Sequence, residues 1–257
     1  MFLENIFRNC HSIARFPLNE HSVKKVLDKE VEFNVGRIKW LGHSAFEIQL
    51  MNKTVLIDPW LDGNPKAPVR ASDIKKADIV CVTHDHSDHL GDAFDICKRT
   101  GATFVGVHEL SVYAQEKGLE ETVGINIGGT VNVKGIEISM VRAHHSCTRG
   151  TSAGFILKEE GTTIYHAGDT GLFGDMQLIG EIYCPDVALI PIGGYYTMGD
   201  REAAEAVKLV KPAVVIPMHY QTFPVLASSA KSFTKIVRET LPKVKVVVLK
   251  PGEAYQL

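Results

Sequence analysis

The chain has 257 residues, of which 45% are hydrophobic and 23% charged, with a formal net charge of -2. That balance is the one of an ordinary globular protein with a sizeable core, and it excludes disordered, fibrous and membrane-embedded classes. So small a net charge also argues against the strongly basic surface by which proteins grip nucleic-acid phosphates.

The first 34 residues read as an N-terminal extension, followed by a single domain over 35–257. Within the extension, Phe2, Leu3, Ile6, Phe7, Ile13 and Phe16 fall on one side of a helix. They are expected to pack on the domain or on a second subunit, which makes a homo-oligomer a reasonable expectation. Glu4, Arg8 and Arg15 interrupt the apolar stretch, so it lacks a signal-peptide core. No apolar run approaches the roughly 20 residues needed to span a bilayer. The five cysteines, Cys10, Cys81, Cys97, Cys147 and Cys184, are odd in number and scattered, which fits reduced thiols and a cytoplasmic location. Cys81 and Cys97 sit in hydrophobic runs and are expected to be buried.

From residue 36 the pattern becomes strand-rich. RIKWLG, SAFEIQL and TVLIDP are three short strands, the last two joined as a hairpin by a turn at Met51-Asn52-Lys53. ADIVCVTH (77–84) is a mostly apolar strand that ends in a dense polar cluster. A helix is predicted over 91–100, then strand TFVGV, a helix over 109–117, and strands near 122–127, 130–134 and 136–142. The second half repeats this logic: the hairpin AGFILKEEGTTIYHAGD, a helix near 175–183, strand DVALIPIGG, a helix over 200–210, strand AVVIPMHY, a helix over 229–240 and strand VKVVVLK (244–250). Hairpins mixed with strand-helix units suggest an α/β fold with two sheets face to face and helices outside, although periodicity alone leaves other layerings open.

The segment that carries chemistry is VTHDHSDHLGD. His84, Asp85, His86, Ser87, Asp88 and His89 put three imidazoles and two carboxylates into six residues directly after a strand. Those are the ligand types that zinc, manganese and iron accept, and a strand-end loop lets several of them point at one place. A merely solvated loop needs polarity but not this alternation.

The H-x-H-x-D-H run resembles the signature of the metallo-β-lactamase superfamily. Asp58 in LIDPW, His145 in AHHS, Asp169 in HAGDT and His219 in PMHY agree in order and context, extending the resemblance from about residue 37 to the C-terminus. WLGHSAFEI and PIGGYYTMG are similar to the branch that contains ascorbate-phosphate lactonase and relatives of N-acyl phosphatidylethanolamine phospholipase D. The resemblance implies a four-layer αββα sandwich of two mixed β-sheets flanked by helices. It implies two divalent metal ions, zinc first with manganese or iron as alternatives. His84, His86 and His145 would hold one ion, Asp88, His89 and His219 the other, and Asp169 would bridge them. A hydroxide between ions about 3.5 to 4 Å apart would then attack a carbonyl or phosphoryl centre.

Other residues have expected roles around that centre. Neighbouring strand residues point to opposite faces, so only one of His144 and His145 readily reaches the metals, and the resemblance favours His145, because it directly precedes Ser146 as the ligand of that family commonly precedes a serine. Asp58 resembles the aspartate that orients a ligand imidazole. Asp88 or Asp169 is the expected transient proton acceptor. His43 has three open readings: support of a ligand, a substrate contact or an ordinary turn histidine. His166 is expected to face away from the pocket or support the bridge. A tyrosine of IGGYYTMG, Tyr195 or its neighbour Tyr196, is a candidate hydrogen-bond donor to a developing oxyanion.

The expected function is hydrolysis of a small-molecule ester, lactone, amide or phosphodiester. An RNA-cleaving nuclease of the same superfamily is the alternative, weakened because the chain has no inserted cap domain and no pronounced basic stretch. Diiron redox chemistry would call for a fused flavin domain, for which there is no room. A non-catalytic metal-binding protein is a further alternative, set against the fact that all seven ligand positions are filled.

Overall fold

The computed structural model describes residues 36–159 and 161–257. The N-terminal extension, with its one-sided apolar pattern and Cys10, lies outside the described residues, as does the boundary at residue 35. Two seven-stranded sheets are described. The first contains β1 (Arg37–Trp40), β2 (Phe46–Leu50), β3 (Lys53–Ile57), β4 (Ile79–Cys81), β5 (Thr103–Val107), β6 (Thr122–Ile125) and β14 (Ala254–Gln256), in the order β14-β1-β2-β3-β4-β5-β6. The second contains β7 (Thr130–Val133), β8 (Ile136–Arg142), β9 (Ala153–Glu159), β10 (Thr162–His166), β11 (Val187–Pro191), β12 (Val214–Met218) and β13 (Lys245–Val246), in the order β13-β12-β11-β10-β9-β8-β7.

Both sheets are mixed and built to one plan. From β14 to β3, and from β7 to β10, neighbours are antiparallel. From β3 to β6, and from β10 to β13, they are parallel. The sequence shows why. In the antiparallel part, β2 alternates, burying Phe46, Ile48 and Leu50 while Glu47 and Gln49 stay partly exposed. In the parallel part, β4, β5, β11 and β12 are apolar nearly throughout and buried at every position, as strands covered on both faces must be.

Helices supply the outer layers. Ala93–Thr100 and His108–Glu116 pack on the first sheet around β4, β5 and β6. Met176–Tyr183, Asp200–Val210 and Lys231–Thr240 pack side by side, with Asp200–Val210 against β11 and Lys231–Thr240 against β13. Asp200–Val210 buries Ala203, Ala204, Ala206, Val207 and Val210, one apolar stripe at helical spacing. The expected arrangement of two mixed sheets flanked by helices holds. None of the described helices is long and apolar enough to cross a membrane.

Some element boundaries differ from expectation. The strand expected over 77–84 is regular only at Ile79–Cys81, because the Thr83 N–H leaves the ladder and donates to Asp58 Oδ1 at 2.8 Å. The next residue, His84, is thereby freed from the sheet. The strand expected over 244–250 is regular only at Lys245–Val246, although the Val247 N–H still donates to the Val215 carbonyl at 2.9 Å. Three elements lacked a clear sequence pattern: the single 3-10 turn Ala71–Asp73, the one-turn helix Ser87–Leu90 inside the polar cluster, and β14, which closes on β1 with Arg37 opposite Gln256.

Candidate metal centre

The site lies where the two sheets meet, at the C-terminal ends of strands. His84, His145 and Asp169 each stand three residues beyond β4, β8 and β10, and His219 directly follows β12. Asp88 and His89 ride on the short helix after β4, so one turn of backbone turns them back toward His84. The backbone is unusual here. His43, Asp58 and His219 all have positive φ, at 54°, 47° and 59°. Side chains larger than hydrogen rarely adopt that region, and it persists where the surroundings over-determine it, often at functional sites. Gly168 serves the same geometry: with φ at 62°, an added Cβ would lie 2.5 Å from the Ala153 carbonyl, so only glycine lets the chain turn into Asp169.

Ligand atoms converge in overlapping groups. His84, His86 and His145 form one, His84, His89 and Asp169 a second, and His43, Asp88, His89 and His219 a third, with the atoms of each group within 4.8 Å of one another. In the first group His86 Nδ1 lies 2.9 Å from His84 Nε2 and 3.3 Å from His145 Nε2. Asp169 Oδ2 stands between the groups. It is 2.9 Å from His219 Nε2, 3.2 Å from His89 Nε2 and 3.6 Å from His145 Nε2.

The supporting hydrogen bonds set the tautomers. Asp58, fully buried, accepts at Oδ2 from Thr83 Oγ1–H and from His89 Nδ1–H, both at 2.7 Å. Because the Thr83 proton is committed to Asp58, Thr83 Oγ1 accepts from His84 Nδ1–H at 3.0 Å. His84 therefore turns an unprotonated Nε2 toward the centre, the form that binds a cation, and His89, with its Nδ1–H held by Asp58, presents Nε2 there, where a bound cation would replace the proton that Asp169 favours. His43 Nε2–H donates to Asp88 Oδ2 at 3.2 Å, since a carboxylate only accepts. Its Nδ1 accepts from Thr222 Oγ1–H at 2.5 Å.

Burial and charge push the site groups far from their ordinary protonation behaviour. Burial, reinforced by the nearby His89, lowers His84 to about 2. Burial also lowers His43 to about 4, against the Asp88 hydrogen bond that raises it. Burial alone would raise Asp169, but His219 and His89 hold it well below the usual carboxylate range. For His89 the order is reversed: burial opposes a charge, and Asp169 and Asp58 override it and raise the group strongly.

The donor set fits divalent cations. His89 Nε2, His219 Nδ1 and Nε2, and Asp169 Oδ1 are buried without a hydrogen-bond partner, a costly state for four polar atoms in one place unless something binds them. Nitrogen and oxygen donors without thiolate suit zinc, manganese or iron. A cavity of about 550 Å³ opens onto the cluster, bordered by His86, Asp88, His145, Asp169 and His219, with Ser87, Ser146, Tyr196, Phe223, Pro224 and Val225. A groove of about 660 Å³ beside helix Lys231–Thr240 has no histidine or aspartate in its lining.

All seven expected ligand residues thus meet in one place. His145 reaches the cluster, whereas His144 is exposed and its ring packs 5.2 Å from Phe173. His166 is buried away from the groups, with Nε2–H donating to the Ser44 carbonyl and Nδ1 accepting from Gly168 N–H. Tyr195 is not brought to the cavity: it is 72% exposed and packs on Tyr196, which does line it. Sequence reasoning missed Thr83, Thr222 and the stacked pair Trp60 and Phe223, whose rings both meet His43 edge to face. It also left Asp85 without a role. Asp85 accepts from Thr148 N–H and Arg149 Nη1–H, at 2.8 and 2.9 Å, and so ties the first histidine loop to the loop bearing His145.

Known proteins match this chain closely. The model of the Beta-lactamase superfamily domain matches residues 37–219. A metal-dependent hydrolase of Caldivirga maquilingensis is 52% identical over 225 residues, covering 87% of this chain and 99% of that protein. Another, from Methanopyrus kandleri, is 52% identical over 229 residues, covering 86% and 99%. The solved structure of Igni18, a novel metallo hydrolase from the archaeon Ignicoccus hospitalis, is 42% identical with a TM-score of 0.82, covering 87% of this chain and 99% of that one.

Proposed function

The chain belongs to the metallo-β-lactamase superfamily and is a metal-dependent hydrolase, and on that footing we propose that it uses two divalent cations to hydrolyse a small ester, lactone, amide or phosphodiester. His84, His86 and His145 would hold one cation, Asp88, His89 and His219 the other, and Asp169 both. The observation that supports this best is the place of Asp169 Oδ2, within 3.6 Å of ring nitrogens that belong to both triads. Zinc is the first choice, with manganese and iron as alternatives. When bound, such a pair supplies a hydroxide nucleophile near neutral pH and polarises the group under attack.

The chain's own residues keep the donors in place and control protons. Asp58 and Thr83 hold His89 and His84 in the tautomers that point Nε2 inward. His43 fixes Asp88 through Oδ2 and leaves Oδ1 free to ligate or to accept a proton. Trp60 and Phe223 pack on the His43 ring and exclude water from its far side. Of the tyrosine pair, Tyr196 lines the cavity and Tyr195 does not, and Tyr196 would be the one to donate to an oxyanion. The described cysteines are unpaired, which supports a reducing, cytoplasmic setting.

Reconstitution with zinc, manganese and iron in turn, followed by assay on p-nitrophenyl acetate, γ-butyrolactone and bis(p-nitrophenyl) phosphate, tests the reading. Turnover that a chelator abolishes and the same ion restores is the expected result. A fully loaded protein inert toward all three would contradict it.

A further inference from the structure

The cavity wall says something about the substrate beyond the bond that is cut. Away from the metal ligands the described lining consists of Ser87, Ser146, Tyr196, Phe223, Pro224 and Val225, and it includes no lysine or arginine. The two tyrosine neighbours and Val225 are unusually exposed for their type, Tyr196 at 54% and Val225 at 50%, and both of those face the same cavity. Phe223 is fixed by stacking on Trp60, with ring centroids 5.7 Å apart, so this apolar wall is preformed. About 550 Å³ is room for a small molecule rather than a polymer.

From these features we propose that the part of the substrate remote from the scissile bond is compact, uncharged and apolar, and that it packs on Phe223, Pro224 and Val225. The inference rests on the hydrolytic reading above. All the positive charge of the loaded site would sit at the ligand cluster, where it meets the reacting group. A carboxylate or phosphate elsewhere on the substrate would have no cation to pair with and would lose water on entering, a net cost. An ammonium on the arm would meet the wall and not a carboxylate, because Asp88 and Asp169 are both committed to the cluster. Among carbonyl substrates this favours neutral esters and lactones with an aliphatic or aryl arm, and it disfavours nucleic acids.

A matched pair of esters separates the arm from the chemistry. p-Nitrophenyl hexanoate and the p-nitrophenyl monoester of adipate share a scissile bond and differ in the charge of the arm, and the adipate carboxylate is too far away to attack its own ester through a five- or six-membered ring. The metal-loaded enzyme is expected to favour the hexanoate by at least about tenfold in kcat/KM. Val225→Lys, at a half-exposed position away from the ligands, is expected to keep the metal content while narrowing or reversing that ratio. Equal rates on the two esters, or a ratio that Val225→Lys leaves unchanged, would overturn the proposal. If neither ester is cut, the assumed chemistry fails, and the binding of 2-pentanone against levulinate in wild type and Val225→Lys, read by tryptophan fluorescence, still decides the arm. A preference between the two that shifts toward levulinate in Val225→Lys supports the proposal, and a preference that the variant leaves unchanged overturns it.

Discussion

Asp58 Oδ2 and His89 Nδ1 lie 2.7 Å apart in a fully buried pair, and the same carboxylate oxygen receives the Thr83 hydroxyl. One aspartate at positive φ thereby orients two imidazoles of the centre, His89 directly and His84 through Thr83. Asp58→Asn keeps the size but turns one oxygen into a donor that conflicts with the His89 N–H. The variant is expected to bind metal about 10- to 100-fold more weakly, the usual effect of losing such an outer partner, as measured by competition with a chromophoric chelator.

Asp85 and Arg149 form a latch between the loops that carry His86 and His145. Their side chains meet at 2.9 Å, and the guanidinium lies 3.8 Å from the centroid of the Tyr113 ring. Arg149→Ala is expected to loosen His145, weakening one metal about tenfold while the other stays bound. Titration of the apo-protein with zinc checks this, showing two unequal sites where wild type shows closely matched ones. Tyr113→Leu is expected to move in the same direction by less.

His43 touches Asp88 and Thr222 without belonging to either expected triad. His43→Ala removes the group that holds Asp88 Oδ2. It is expected to lower kcat/KM by about 10- to 100-fold with both metals retained. Paired elemental analysis and kinetics on the variant check this, and loss of a metal would instead make His43 a ligand.

The buried thiols predict an alkaline limit to stability. Burial raises Cys97 from an ordinary 9.0 to about 12, and Cys81 further still. A raised folded-state value means that the stabilisation is complete below about pH 9 and is lost as pH rises from there through about 12, because the unfolded chain gives up these protons first. Thermal melting is expected to be flat across neutral pH and to fall above pH 9, more gently in Cys97→Ala. At pH 8, iodoacetamide is expected to label exposed Cys184 and to spare Cys81 and Cys97 until the protein is denatured.

The candidate ligands were legible because metal chemistry restricts residue type: VTHDHSDH after an apolar strand has few other readings, and Asp169 and His219 follow strands in the same way. The alternating pattern of β2 and the apolar runs of β4, β11 and β12 made the sheets legible too. Contacts between distant loops were not. Nothing in Arg149 or Tyr113 marks them as partners of Asp85, since their meeting depends on how two loops fold over each other. Thr222 is likewise an ordinary loop residue until the chain brings it to His43, 179 positions away. The adjacent Tyr195 and Tyr196 could not be told apart by pattern, because a Gly-rich loop has no fixed period to say which side chain turns inward. β14 is three residues long, too short for alternation to stand out.

The most direct test of the two-metal account is elemental analysis of the purified protein beside Asp169→Ala and His84→Ala, with circular dichroism to verify that each variant is folded. The account predicts about two metals per chain in the wild type, a loss of metal in the folded His84→Ala protein, and a larger loss in Asp169→Ala, because Asp169 faces both sets of ligands. A wild-type protein that holds no metal after reconstitution, or a folded Asp169→Ala variant that keeps its full complement, would contradict it.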